Sequence, residues 1–360
     1  MLFSTYKKYL FLKFSKKILS VSLVFFILVL ILNLLEEINF LKDSDVSFYT
    51  PIILTLLNAP SLLNEMFPFI FLISTQLFFI NLYESKEIFT LKQFGLDNFS
   101  LLRFLSYITF LFGIIIIIFF YNFSSVCKNQ YLKIKNNYTS DNKYLAVITK
   151  NGIWIRDKSE DGVVIINADK IEDKFLINLS ITKLSKNFEI QKNILAKKAN
   201  VKKFNWILED AIITEIDNTS TKQKITTFQS NFNLERINNL FSDLSSLTYL
   251  ELLNLKKDYK IIGYSTEEIE IQSHKFYSLP FLLTSMTIIS MIIMLNNKFK
   301  KNIFMNLLIG IFVSVLIYYI SHFSSVLGAN GKLPVVLSVW FPIIIIILTS
   351  LIGVVRLNEK

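Results

Sequence analysis

The sequence predicts an α-helical membrane protein with six transmembrane helices and an all-β, jelly-roll-like domain inserted between helices 3 and 4. Three observations predict it. The 360-residue chain is 52% hydrophobic and only 18% charged, whereas soluble domains carry about 25% charged residues. Its mean hydropathy is +0.47, and its apolar residues gather in six charge-poor runs near the ~20 residues that a membrane span needs. Between the third and fourth runs, over residues 128–275, charges return and apolar residues begin to alternate. With 34 Phe against 9 Gly, neither disorder nor a fibrous repeat fits. The single Cys127 excludes an internal disulfide framework and any multi-Cys metal or iron–sulfur site.

The first span is Ile18–Leu35, behind Lys7, Lys8, Lys13, Lys16 and Lys17. A basic start before an apolar run resembles a signal peptide, but no small-x-small cleavage site follows, so a retained anchor is expected. Met66–Tyr83 is the second span, preceded by an apolar segment, Pro51–Asn64, expected to form a short interfacial helix. Phe104–Cys127, Phe276–Asn297, Asn302–Ser324 and Leu337–Val355 follow. The chain thus reads as three blocks: spans 1–3 over residues 1–127, an external domain over 128–275, and spans 4–6 over 276–360.

Lys and Arg in short loops set orientation. With the N-terminus inside, the inner segments hold the N-terminal lysines, Lys86, Lys92, Arg103, Lys298, Lys300, Lys301, Arg356 and Lys360. The short outer loops carry only Lys42 and Lys332. Both termini are therefore expected on the cytoplasmic side. Much of the +10 net charge is this topological signal, so no nucleic-acid partner is expected.

In the middle block, Phe175, Ile177, Leu179 and Ile181 recur at every second position, with Asn178, Ser180 and Thr182 among the intervening ones, and Phe204, Trp206 and Leu208, and Ile212, Thr214 and Ile216 recur in the same way. Period-2 alternation reads as strands with one buried face. Asn151-Gly152 and Asp161-Gly162 supply the positive φ angles of hairpin turns. Short strands at this spacing predict a sandwich or jelly roll. From Leu234 to Glu270 the pattern turns helical or mixed, with Leu244, Leu247, Leu250, Leu253 and Leu255 at roughly helical spacing.

No catalytic constellation is legible, and no cofactor is predicted. His274 and His322 lack metal-ligand spacing. Gly328–Lys332 is not a P-loop, which needs four residues between its glycines and a following Ser or Thr. ATP-driven work would fall to another chain. The spans are almost free of the ionisable residues that mark ion pathways. Such spans suit a lipid-like substrate, or are simply lipid-facing helices.

The most informative inner stretch runs from Glu84 to Gly95. Ile88, Leu91 and Phe94, with Phe89 near them, make an apolar helical face beside polar Glu84, Lys86 and Glu87. Gly95 suits a helix C-cap, and Asp97 or Asn98 a following N-cap. A short amphipathic helix here can dock in a partner's groove or lie on the membrane surface.

These parts together resemble the LptF/LptG (YjgP/YjgQ) permeases of the lipopolysaccharide exporter. The resemblance rests on several stretches of the sequence. They are Ser85-x-Glu87-Ile88 to Gly95, Asn151–Asp157, Pro280, Leu327-Gly328 to Gly331-x-Leu333-Pro334, and Trp340-x-Pro342. Trp154–Asp157 and the tail are more similar to the LptG members. The family's six spans with a periplasmic jelly roll imply a multi-pass protein of the bacterial inner membrane. They also imply a non-catalytic subunit of an ATP-driven exporter that takes lipopolysaccharide from the membrane. Implied partners are a cytoplasmic ABC ATPase dimer, a second LptF/LptG-type permease and a periplasmic jelly-roll bridge protein. Glu84, Glu87, Ile88, Leu91 and Gly95 match the ATPase-coupling helix, with Glu87 at the position that contacts the ATPase. Members often carry cations at the outer end of the first span; here Asn33, Glu36 and Glu37 stand there, and Lys42 is the nearest candidate for a lipid headgroup. The alternative is a non-transporting membrane scaffold whose β domain binds envelope proteins.

Overall fold

The structure is a computed structural model that describes residues 5–42, 47–136, 138, 153–159, 162–185, 189–215, 219–234, 236–237, 243–262, 264–295 and 303–358. It forms two compact units, Met1–Lys128 with Glu267–Lys360, and Asn129–Thr266. Among the described residues, six helical stretches are long and apolar enough to cross a membrane. They are α1 (Thr5–Phe40), α2 (Tyr49–Glu84), α4 (Asn98–Ile115) continuing into α5 (Asn122–Asn136), α7 (Glu267–Leu295), α8 (Ile303–Ala329) and α9 (Val335–Asn358). A short α3 (Glu87–Gln93) joins α2 to α4.

Both α1 and α2 have 36 residues, about 54 Å of helix at 1.5 Å per residue. That exceeds the ~30 Å hydrocarbon core, so each projects beyond it. The separate interfacial helix expected over 51–64 is not found, because α2 runs unbroken through it. Pro60 and Pro68 lie inside α2 and are buried; packing on several sides holds a helix that local sequence would break. Between α4 and α5 the chain widens into a π segment, Ile116–Tyr121. Side chains take up carbonyls there: Asn122 Nδ2 donates to Ile118 O at 2.8 Å, and Ser124 and Ser125 Oγ donate to Tyr121 O at 2.8 and 3.0 Å.

Small residues and hydrogen bonds hold these helices together, as expected where lipid removes the hydrophobic drive. Gly113 of α4 lies so close to α7 that a Cβ there would stand 2.7 Å from Pro280 Cα. Gln76 Nε2 donates to Asn306 O at 2.7 Å across the space that Gly310 leaves open. Ser290 Oγ donates to Leu72 O at 2.9 Å, and the Thr109 and Thr287 hydroxyls lie 3.1 Å apart.

The second unit is a six-stranded antiparallel sheet lying between helices 3 and 4 of the chain: β1 (Ile153–Ser159), β2 (Gly162–Glu172), β3 (Phe175–Ser185), β4 (Ile190–Asn200), β5 (Asn205–Glu215) and β6 (Ser220–Gln229). Each strand pairs with its sequence neighbours, in the order β1-β2-β3-β4-β5-β6. One face is buried in a core that includes Ile155, Ile166, Leu179, Trp206 and Phe232. The sheet curls so that the chain leaving β6 returns to β1. Buried Asp157 on β1 accepts from Ser230 Oγ (2.7 Å), Asn231 N (2.9 Å) and Asn231 Nδ2 (2.7 Å). Trp206 Nε1 donates to Phe232 O at 2.7 Å in the same corner. A helix, α6 (Tyr249–Ile262), follows the sheet.

The alternation expected from sequence is broken along one row. In β2, Val164, Ile166 and Ala168 are buried, and then Ile171 packs on the core, one position out of phase. The same slip separates Leu176 from Leu179 in β3, Ala196 from Ala199 in β4, and Leu208 from Ala211 in β5. Pairing skips the residues at the slip, Asp169, Asn178, Lys197, Asp210 and Lys224, yet resumes in unchanged register. Asn178 and Asp210 adopt φ of +50° and +53°, a left-handed conformation that Asn and Asp tolerate, and this lets one extra residue pass as a bulge. Ile212, expected on the buried face, therefore points outward, and Ile213 is buried in its place. Phe204 is likewise exposed. The Asn151-Gly152 turn and the Asp161 half of the second turn lie outside the described residues.

Candidate coupling site

The turn after α2 is tight. Lys86 takes φ +58°, which ends α2 and lets α3 start at Glu87. Leaving α3, Gly95 takes φ +81°, and Gly95 N donates to Lys92 O (3.0 Å) while Leu96 N donates to Leu91 O (3.1 Å). This pair of bonds is a Schellman cap, which needs a left-handed residue and so favours glycine. Asp97 then caps α4, accepting from Ser100 N at 3.0 Å.

The apolar face read from the sequence is divided by this geometry. Ile88 is 3% exposed and joins the bundle core with Leu10, Phe14 and Leu105, and Leu91 packs on that core. Phe89 (58% exposed) and Phe94 (82%) face outward. Thr90, Lys92 and Gln93 are exposed with them, as are Glu84 and Gly95. So Ile88 and Leu91 fix α3 to the bundle, and the outward face is aromatic and polar.

Glu87 turns back to α1. Lys13 Nζ donates to its two carboxylate oxygens at 2.7 and 2.6 Å, and Tyr9 Oη donates at 2.9 Å. Lys13 also donates to Tyr9 Oη at 3.2 Å, and its ammonium lies 5.4 Å from the Tyr9 ring centre. Burial alone would raise the Glu87 carboxyl, but hydrogen bonds from Lys13, Ser85 and Tyr9 outweigh it and hold it below the ordinary Glu value. Sequence reading singled out Glu87 and missed Tyr9 and Lys13. Their only signal was one helical turn between an aromatic and a basic residue ahead of the first span.

Lys42 is exposed just beyond α1. At the C-terminal end of α1, Asn33 and Glu37 are buried. Asn58 Nδ2 of α2 donates to Asn33 Oδ1 at 3.0 Å, and Lys128 Nζ of α5 donates to Asn58 Oδ1 at 2.8 Å. A cation thus reaches this region from the third span rather than the first. Among the described residues, no group of three His, Cys, Asp or Glu could hold a metal ion.

Six membrane-length helices, a β domain inserted at their midpoint and a short helix presented at one end define a multi-pass permease. The chain belongs to the lipopolysaccharide export system permease LptF/LptG family, which matches residues 8–356. Members are permease subunits of the inner membrane and not catalytic themselves. No individual curated protein matches the chain.

Proposed function

We propose that this chain is one of two permease subunits of an ATP-driven exporter that extracts lipopolysaccharide from the inner membrane and passes it to a periplasmic bridge toward the outer membrane. The family match over residues 8–356 carries this reading. The Lys and Arg distribution supports cytoplasmic termini, a cytoplasmic α3 and a periplasmic β domain. There α3 offers Phe89 and Phe94 to a groove on an ABC ATPase dimer, with Ile88 and Leu91 anchoring it from behind and Glu84, Glu87 and Gly95 shaping its ends. Lys42 is left as the candidate headgroup contact. Trp154–Asp157 and the tail from Leu327 to Pro342 favour LptG over LptF.

The sheet supports a bridge by strand addition. On β1, Arg156 N donates to Tyr264 Oη at 2.9 Å, which covers part of that edge. Along β6 the side chains are almost all exposed, and among the described residues no strand pairs with its outer edge. An edge of this kind accepts a further strand. Affinity purification from native membranes in mild detergent, with and without crosslinking, tests the whole reading. Recovery of an ATPase, a second six-span permease and a periplasmic jelly-roll protein is the expected outcome. Recovery of envelope proteins alone after crosslinking returns the scaffold alternative.

A further inference from the structure

We infer that Tyr9 and Lys13 are positioning residues that tie α3 to the cytoplasmic end of α1, so that α1 moves with the coupling helix. The inference rests on the exporter reading and adds to it the path by which force leaves α3. The connection of α3 to α2 is covalent but narrow: it passes through Ser85 and Lys86, the latter in a left-handed conformation. A rigid push on α3 would be partly absorbed at that bend. The contact with α1 has no such bend. Lys13 bridges both oxygens of Glu87, Tyr9 adds a third bond to the same carboxylate, and Lys13 bonds Tyr9 in turn. Charge-assisted bonds of this multiplicity resist shear better than single neutral ones. Behind them, Ile88 packs in one core with Leu10 and Phe14, the residues that flank Tyr9 and Lys13 on α1.

The bonded contact therefore grips α3 at its first turn from α1, which runs on without a break to Phe40. A rotation imposed on the outward face of α3 is delivered along a stiff rod to the far side of the membrane. Glu87 has an internal role in this arrangement. Its carboxylate is occupied by α1, and the ATPase is met by the exposed side chains around Phe89 and Phe94.

The test is repair of the tie by two independent routes in cells that depend on this chain. Lys13→Glu and Glu87→Lys should each reduce surface lipopolysaccharide about tenfold or more, as removal of one member of a bonded charge pair does. ATPase recovered with the Lys13→Glu chain should stay within about twofold, because Lys13 lies on α1 and the docking face is untouched. The exchanged pair, Lys13→Glu with Glu87→Lys, should restore export to within about threefold of the parent. In a Cys127→Ser background, Lys13→Cys with Glu87→Cys should lose export and regain it when a short bis-maleimide joins the two thiols. Rescue by either route supports the tie. If both repairs fail while ATPase still co-purifies, Glu87 acts directly on the ATPase and the inference falls alone. If the two cysteines cannot be joined, the contact is absent and the inference falls. If the parent chain brings down no ATPase and its depletion leaves surface lipopolysaccharide intact, the exporter reading falls and takes this inference with it.

Discussion

The membrane bundle and the β domain use polar groups in opposite ways. In the bundle, hydroxyls and amides are spread singly: Ser290 reaches Leu72 O, Gln76 reaches Asn306 O, and Thr109 meets Thr287. Each fastens one helix to another through a backbone carbonyl or a like side chain. In the β domain, the polar groups concentrate at one corner, where a single buried carboxylate, Asp157, gathers three donors from the chain leaving β6. A bundle of apolar helices tolerates many weak fasteners, because each helix satisfies its own backbone. A curled sheet closes only if its ends are held, so one strong fastener matters more than several weak ones.

The largest effect should come from that corner. Asp157→Ala leaves the Ser230 hydroxyl and two nitrogens of Asn231 facing a gap, at a cost of about 3 kcal/mol. Hydrogen exchange of the full chain should show faster exchange across β1 and β6 and none in α7. Equal loosening of the bundle would break the comparison. Next, Gly113→Val in the bundle pushes a side chain against the Pro280 backbone, at about 2 kcal/mol, seen as a lower melting temperature in detergent. Smaller still, Ser290→Ala should cost only about 0.6 kcal/mol. A cost near that of Asp157→Ala would erase the contrast between many weak fasteners and one strong one.

The smallest change is expected from acid. The Glu87 carboxyl lies below its ordinary value, so what it contributes is present above the unfolded Glu pKa of about 4.3 and is lost as pH falls through the lower folded value. The infrared carboxylate band that Glu87→Gln removes should therefore persist from about pH 7 to about pH 5. Disappearance of that band near neutrality would mean that Lys13 and Tyr9 do not hold the carboxylate.

The two regions also differ in how much of each was legible in the sequence. Span positions follow from hydropathy, which is a local property, and the six apolar helices and the inserted β domain were read correctly from it. Where the reading of the bundle failed, over 51–64, packing around Pro60 and Pro68 had overridden local helix propensity. Alternation located the strands but not their faces beyond a slip. Ile212 and Ile213 are adjacent and equally apolar, and only the left-handed Asp210 decides which of them goes in. Asn and Asp inside strands were the available clue. At the candidate coupling site, Glu87, Ile88 and Gly95 stood out because they are close together. Lys13, the partner of Glu87, lies 74 positions from it, and no local pattern joins the two.

The row of slips across β2 to β5 has a consequence for how this domain can change over evolutionary time. Because four neighbouring strands carry the same one-residue offset, pairing stays in step on both sides of the crease. Deleting the extra residue from one strand alone would restore plain alternation within it, with Ala211 and Ile213 still inward in β5, but would put its far half one residue out of step with both neighbours. Length changes at the crease are therefore permitted only together, while the hairpin ends of the same strands are free to grow or shrink one at a time. Relatives of this domain should accordingly differ in turn length far more readily than in the number of residues between the crease and the turns.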